Sequence, residues 1–214
     1  YYVVLTFDDG IKEYSLYASS ILYKKDILAT LFLITSLQKH PYLDKQLVDK
    51  HDIIKIHDMG HEIASHSATH RDLTILGSND LLYELKNSKD FLEEIIKDEV
   101  KGFAYPYGKY TNRVISYVKK FYKYARTIHL RSIKTCDIND PFNNRYKLCG
   151  ISPKLFLYIL LRDWTINVNK NHIYIIVFHE EVKLLNLLLN LLGTFSVRFL
   201  QLKDLVKYID HKDL

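Results

Sequence analysis

Tyr2-Val3-Val4-Leu5-Thr6-Phe7, running into Asp8-Asp9-Gly10, is the stretch on which the fold turns. A short run of β-branched, aromatic and aliphatic residues reads as a buried strand, and Asp-Asp-Gly ends it in a loop. Helical spacing follows at once, from Ile11 to about Lys25, and the same unit recurs downstream. Ala29 to Thr35 reads as a strand and Leu43 to about Asp58 as a helix closed by Gly60. His61 to Ser65 is a third strand, His66 to Asn79 a polar loop, and Asp80 to Lys97 an amphipathic helix with Leu81, Leu85, Leu92 and Ile96 on its apolar side.

Gly102 to Tyr105 is strand-like and stops at Pro106-Tyr107-Gly108; Thr111 to Phe121 is helical and Tyr124 to Ile128 extended. Ser132 to Ser152 reads as an irregular excursion. Pro153 to about Asn167 is a helix with proline near its start, Ile173 to Phe178 the strongest strand, and Val182 to Leu192 a helix. Phe195 to Leu200 and Gln201 to Ile209 supply a last strand and helix. Short apolar strands alternating with amphipathic helices specify a parallel α/β fold. Periodicity leaves a closed barrel and an open sheet both available, and either places functional loops at the strand C-terminal ends. Asp8, Asp9, His66, Tyr107, Arg126 and His179 each follow a strand-like run, so they are expected on one rim.

The 214 residues are 48% hydrophobic, enough for one core and too little for two comfortable domains, and no linker divides residues 1–214. Lys+Arg 30 against Asp+Glu 25 leaves +5 spread along the chain, without the basic, aromatic-interleaved run of a nucleic-acid binder. Nucleic acid is therefore not an expected partner. Leu155 to Leu161 and Leu184 to Leu192 fall short of the roughly 20 residues that span a bilayer. Cys136 and Cys149 lack any CxxC or finger pattern, which excludes a zinc knot; a pairing between them and two free thiols both stay open.

His66 and His70, four residues apart, would share one face of a helical turn and offer two nitrogens to one divalent ion. By themselves they are more often two exposed loop histidines. Asp9 on the same rim adds a carboxylate, giving three protein ligands and open positions, the pattern of a catalytic metal. Asp8-Asp9-Gly10 taken alone is a turn, but Gly10 lets the backbone bend both carboxylates toward one pocket. Asp8 would then stay free as a general base, and His179, at the end of the most apolar strand, is the candidate general acid, a role that suits imidazoles as a side-chain type.

Together these residues resemble the polysaccharide deacetylases of the NodB-homology type, carbohydrate esterase family 4. Thr6-Phe7-Asp8-Asp9-Gly10 is similar to the family's TFDDG motif, Gly60-His61-Glu62-Ile63-Ala64-Ser65-His66 with His70 to its GHEIASH…H segment, Tyr105-Pro106-Tyr107-Gly108 to its third motif and Val177-Phe178-His179 to its last. The resemblance implies a deformed (β/α) barrel of about seven parallel strands. It also implies one divalent ion, zinc before cobalt, nickel or manganese, on Asp9, His66 and His70. Its implied reaction removes acetyl groups from N-acetylated sugars, with Asp8 as base, the Tyr107 backbone N–H as oxyanion donor and His179 as acid. Tyr105, Pro106, Tyr107 and Arg126 are expected to line the substrate, the tyrosine rings as surfaces on which sugars stack.

Two departures stand out. Many members carry Arg where this chain has Ala104, and that Arg orients the base; Arg126 is the candidate to supply the charge instead. Asp163-Trp164 is the candidate for a fourth motif. Hydrolysis of another amide, such as a cyclic imide or ureide, and carbohydrate binding with little turnover are the competing functions.

Overall fold

β1 (Tyr2–Phe7) is flanked along both edges, which is why five of its six residues are buried. In the computed structural model, which describes residues 2–129, 144–163, 173–180 and 182–211, β7 (Ile173–Phe178) pairs with it along its full length, from Tyr2 opposite Ile173 to Phe7 opposite Phe178. The other edge is shared. β2 (Thr30–Leu33) takes Thr6 and Phe7, while β8 (Arg198–Leu200) takes Tyr2, Val3 and Val4. β3 (Glu62–Ser65), β4 (Gly102–Ala104), β5 (Tyr124–His129) and β6 (Leu148–Ile151) complete a ring in which every pairing is parallel. The chain therefore folds as a deformed (β/α) barrel of seven strands, with β8 wedged where β1 and β2 splay apart.

Period-two alternation fills the barrel. Val4, Phe32, Ala64, Ala104, Tyr124, Leu148 and Ile175, one from each strand of the ring, pack together inside it. Their neighbours Val3, Leu5, Leu31, Phe103 and Ile176 face the surrounding helices in a second, larger cluster. Those helices are α1 (Lys12–Tyr23), α2 (Lys50–Asp58), α3 (Ser78–Leu82), α4 (Ser88–Ile96), α5 (Asn112–Phe121), α6 (Pro153–Asp163) and α7 (Lys183–Leu192). α8 (Leu202–His211) closes the N-terminal end of the barrel with Leu202, Leu205 and Val206.

Interior side chains on β5 and β7 are matched by small residues beside them. A Cβ at Gly102 would collide with the Tyr124 ring, and one at Gly150 with the Val177 side chain. Below, Glu62 accepts hydrogen bonds from Tyr124 Oη (2.5 Å), Thr30 Oγ1 (2.7 Å) and the Lys203 amide (3.0 Å). Burial pushes its carboxyl pKa up, in spite of these donors.

The structure corrects several expectations. The helix expected from Leu43 starts only at Lys50, because Asp49 and Asp52 form a reciprocal capping box there. The preceding segment instead bridges Lys39 to Gln46 and Ile11 to Leu47. The helix expected over Asp80 to Lys97 is broken into α3 and α4 by a π-helical turn, Tyr83–Asn87. Within the stretch read as irregular lies β6, a four-residue strand whose Gly150 weakened its sequence signal. Cys136 and Trp164 lie outside the described residues, and Asp163 is the last residue of α6. Among the described residues no helix is long and apolar enough to cross a membrane.

Candidate active site

Asp8 continues the inward alternation of Val4 and Thr6, and its amide donates to Phe178 O (2.9 Å), extending the β1–β7 pairing to the rim. Alternation would send Asp9 outward. Instead Asp9 adopts φ +68° and turns its carboxylate back over the barrel, followed by Gly10 at φ +78°. The positive φ is what calls for glycine here; a Cβ at Gly10 would meet the end of the Leu33 side chain at 2.9 Å, which can shift aside.

His66 follows β3 and His70 ends the loop after it. The expected helical turn is not there: Ser67 and His70 have φ of +69° and +58°, a kinked loop that still sends both rings inward. The loop is held at several points. His70 N–H donates to Ser67 Oγ (3.0 Å), Ser67 N–H to Ser65 Oγ (3.2 Å), and the Ala68 amide to Glu84 O (3.1 Å). Fully buried Glu84 also accepts from the Thr69 amide (2.8 Å) and the Thr69 hydroxyl. The π-helical turn carries Glu84, so the break in the helix serves this loop.

Asp9 Oδ1 lies 3.5 Å from His66 Nε2 and 3.6 Å from His70 Nε2, and it is buried without a hydrogen-bond partner. His66 Nδ1 donates to Ala104 O (2.9 Å), which leaves its Nε2 lone pair facing Asp9. An unpartnered carboxylate oxygen among two imidazole nitrogens fits a divalent ion: ligand bonds of about 2.1 Å put tetrahedral ligand atoms about 3.4 Å apart. Asp9, His66 and His70 form the metal-capable group among the described residues. Burial lowers the His66 pKa and takes that of His70 to about 3, so both rings are neutral and ready to ligate near pH 7. For Asp9 burial favours the neutral acid, but a hydrogen bond from His40 and the nearby His66, His179 and His70 together hold it below the usual carboxylate range.

Asp8 has a different environment. Arg126 Nη2 contacts both its carboxylate oxygens at 2.5 Å, and His179 Nε2 lies 3.5 Å from Oδ2. Arg126 does not follow a strand, as its sequence context suggested, but lies within β5, in register with Ala104. It is 1% exposed and its guanidinium sits 4.9 Å over the Phe32 ring. The expectation that Arg126 lines the substrate is therefore corrected: it lies beneath Asp8 and has no surface to offer a sugar. The His179 side chain is 35% exposed and stands at the mouth, well placed to meet a solvent-facing group.

The third motif forms a tight turn. Pro106 opens it, Tyr107 and Gly108 have φ of +58° and +67°, and the Gly108 and Lys109 amides bond back to Tyr105 O (2.9 Å) and Pro106 O (3.1 Å). A Cβ at Gly108 would meet Ile128 O at 2.9 Å. Tyr107 packs edge-on against His70 and its hydroxyl donates to His70 O (3.1 Å), while 41% of the residue stays exposed. Tyr105 and Pro106 are buried, with Tyr105 Oη donating to Tyr146 O, so Tyr105 does not present the sugar-stacking surface expected of its ring and Pro106 does not line the substrate with an open face.

Residues the sequence reading passed over complete the wall. His40 and Tyr42 come from the loop after β2; His40 Nε2 approaches Asp9 Oδ2 at 3.5 Å and Tyr42 shares a short hydroxyl contact with Tyr107. The topological rule that singled out the other loops applies to this one as well.

A polysaccharide deacetylase family model matches residues 1–124. YxkH of Bacillus subtilis, a protein carrying a polysaccharide deacetylase name, is 26% identical over 120 residues, which are 55% of this chain and 41% of that relative; the match thus spans well under half of the relative's length. Among solved structures, the Xyl-CE4 domain of a multidomain xylanase from the hindgut metagenome of Trinervitermes trinervoides superposes with a TM-score of 0.69 at 22% identity, covering 96% of this chain and 89% of that one. The Streptococcus pyogenes deacetylase PplD, solved with acetate, gives 0.58 at 25% identity over 69% of this chain and 62% of its own.

Proposed function

The chain belongs to the polysaccharide deacetylase family, and from that premise we propose that it hydrolyses the acetamide of N-acetylated sugars in a polysaccharide or oligosaccharide, using one divalent ion held by Asp9, His66 and His70. The observation that carries this reading is the convergence of Asp9 Oδ1, His66 Nε2 and His70 Nε2, with the carboxylate oxygen buried and unpartnered. When bound, the ion, zinc in the first instance, supplies Lewis-acid chemistry, acidifying water and polarising the amide carbonyl.

The chain's own residues supply the rest. Asp8 takes a proton from the attacking water, and Arg126, bonded to both its oxygens, orients its carboxylate from below. The Tyr107 amide, at the turn that Pro106 and Gly108 fix, donates to the oxyanion of the tetrahedral intermediate. His179 protonates the departing sugar amine so that the C–N bond breaks to give a free amine and acetate. Exposed Tyr107 and Tyr42, rather than buried Tyr105, offer aromatic surface to the sugar.

Ala104 and the unmatched fourth motif are the two reasons to consider a binding protein with little turnover, and the structure bears on the first. A guanidinium on Asp8 from β5 weakens that reason and favours catalysis. The experiment is acetate release from an N-acetylglucosamine oligomer, expected to be lost on chelation and in Asp8→Asn; turnover that survives both would overturn the proposal.

A further inference from the structure

We propose that His40 is a positioning residue for Asp9: it donates from Nε2 to Asp9 Oδ2 and so keeps Oδ1 turned toward His66 and His70. The inference rests on the metal-dependent reading and adds to it a residue of the β2–α2 loop.

Tautomer chemistry carries the argument. His40 Nδ1 accepts the backbone amides of Tyr42 (3.3 Å) and Leu43 (3.1 Å), which commits its lone pair and places the proton of the neutral ring on Nε2. Nε2 lies 3.5 Å from Asp9 Oδ2, a contact longer than the usual range of about 2.7–3.2 Å for an N–H···O bond and one that a small shift of either side chain closes, with both side chains under 10% exposed. His66 has the opposite arrangement, with its proton on Nδ1 and its Nε2 lone pair facing Asp9. His40 is thus a donor to the ligand carboxylate, and the same two amides that fix its proton exclude it as a fourth ligand. The carboxylate then divides its oxygens, Oδ2 toward His40 and Oδ1 toward the two ligand imidazoles. Outer contacts of this kind orient ligands and tune metal affinity.

Two substitutions separate this role from support of the loop. His40→Asn keeps a short side-chain oxygen to accept the Tyr42 and Leu43 amides but does not reach Asp9; His40→Gln reaches Asp9 with an N–H donor. Zinc dissociation constants from competition with a chromophoric chelator, together with the visible spectrum of the cobalt-loaded proteins, give readouts independent of turnover. The expected result is a 10–100-fold loss of zinc affinity and an altered cobalt spectrum in His40→Asn, with His40→Gln within about threefold of the parent. Equal losses in both variants, or an unchanged His40→Asn, would overturn the assignment while leaving the metal site standing. A parent protein that takes up no zinc would instead overturn the metal-dependent reading itself.

Discussion

Arg126 reaches Asp8 from β5, in register beside the Ala104 position of β4, and contacts both oxygens of the carboxylate at 2.5 Å. In the proposed mechanism the charge that orients Asp8 thus comes from β5, one strand along the barrel from Ala104. Removing it would strand a buried carboxylate. Arg126→Met is expected to cost about 3–5 kcal/mol in chemical denaturation and to lower kcat. Adding Ala104→Arg to Arg126→Ala should restore part of the lost kcat, since the new side chain starts from the adjacent inward position; no recovery in a folded double variant would argue that Asp8 needs the β5 geometry specifically.

The proposed mechanism gives the neighbours Asp8 and Asp9 separate tasks, and substitution should separate them. Asp8→Asn is expected to lower kcat by roughly 10²–10⁴ while zinc affinity changes only a few-fold, because Asp9, His66 and His70 are untouched. Asp9→Asn should do the reverse and lose zinc first. Calorimetric zinc titration alongside acetate release distinguishes the two patterns; a zinc loss in Asp8→Asn as large as in Asp9→Asn would contradict the division of roles.

Glu84 holds the loop that carries both ligand histidines. Glu84→Ala leaves the Thr69 amide and hydroxyl without their acceptor, a cost of about 1–3 kcal/mol for a buried unpaired donor. Zinc affinity should fall about 10–100-fold. Glu84→Gln retains an acceptor for the amide and should fall between the two, as read from thermal melts and competitive zinc titration.

Much of the barrel was legible because each strand is a short apolar run and each helix has a clear apolar face. β6 was not, since Leu148-Cys149-Gly150-Ile151 is short and its glycine serves interior space rather than strand propensity. The helix break before α4 was equally hidden, because leucines at helical spacing continue through a π turn. At the site, the strand-end rule brought out Asp8, Asp9, His66, Tyr107 and His179. It misplaced Arg126, which lies within a strand, and gave no orientation for Tyr105, whose ring faces the helices. His40 was passed over although its loop obeys the same rule, since a lone histidine beside Pro41 carries no motif.

The neutral ligand histidines give the metal-free protein an acid-labile fold. His70 ionises near pH 3 when folded, against 6.5 for an ordinary imidazole, and burial also lowers the His66 pKa. Between those values the unfolded chain binds the extra proton on His70, so stability is full above about pH 6.5 and declines as pH falls toward 3, by up to about 1.4 kcal/mol per pH unit, with His66 adding a loss of the same sign. The lowered Asp9 pKa adds a further loss only below about pH 4, once the unfolded carboxyl protonates. Urea melts from pH 8 to 4 should show this slope, and saturating zinc should move the decline to lower pH by binding only the deprotonated ligands.

The central claim is that a single metal site made by Asp9, His66 and His70 drives deacetylation. Its most direct test is the rate of acetate release from an N-acetylglucosamine oligomer as zinc is added back, in measured equivalents, to chelator-stripped protein. Release should be negligible without metal, rise to a break at one zinc per chain, and show no rise in Asp9→Asn over the same range. Release from the stripped protein at the rate of the zinc-loaded protein would contradict the claim.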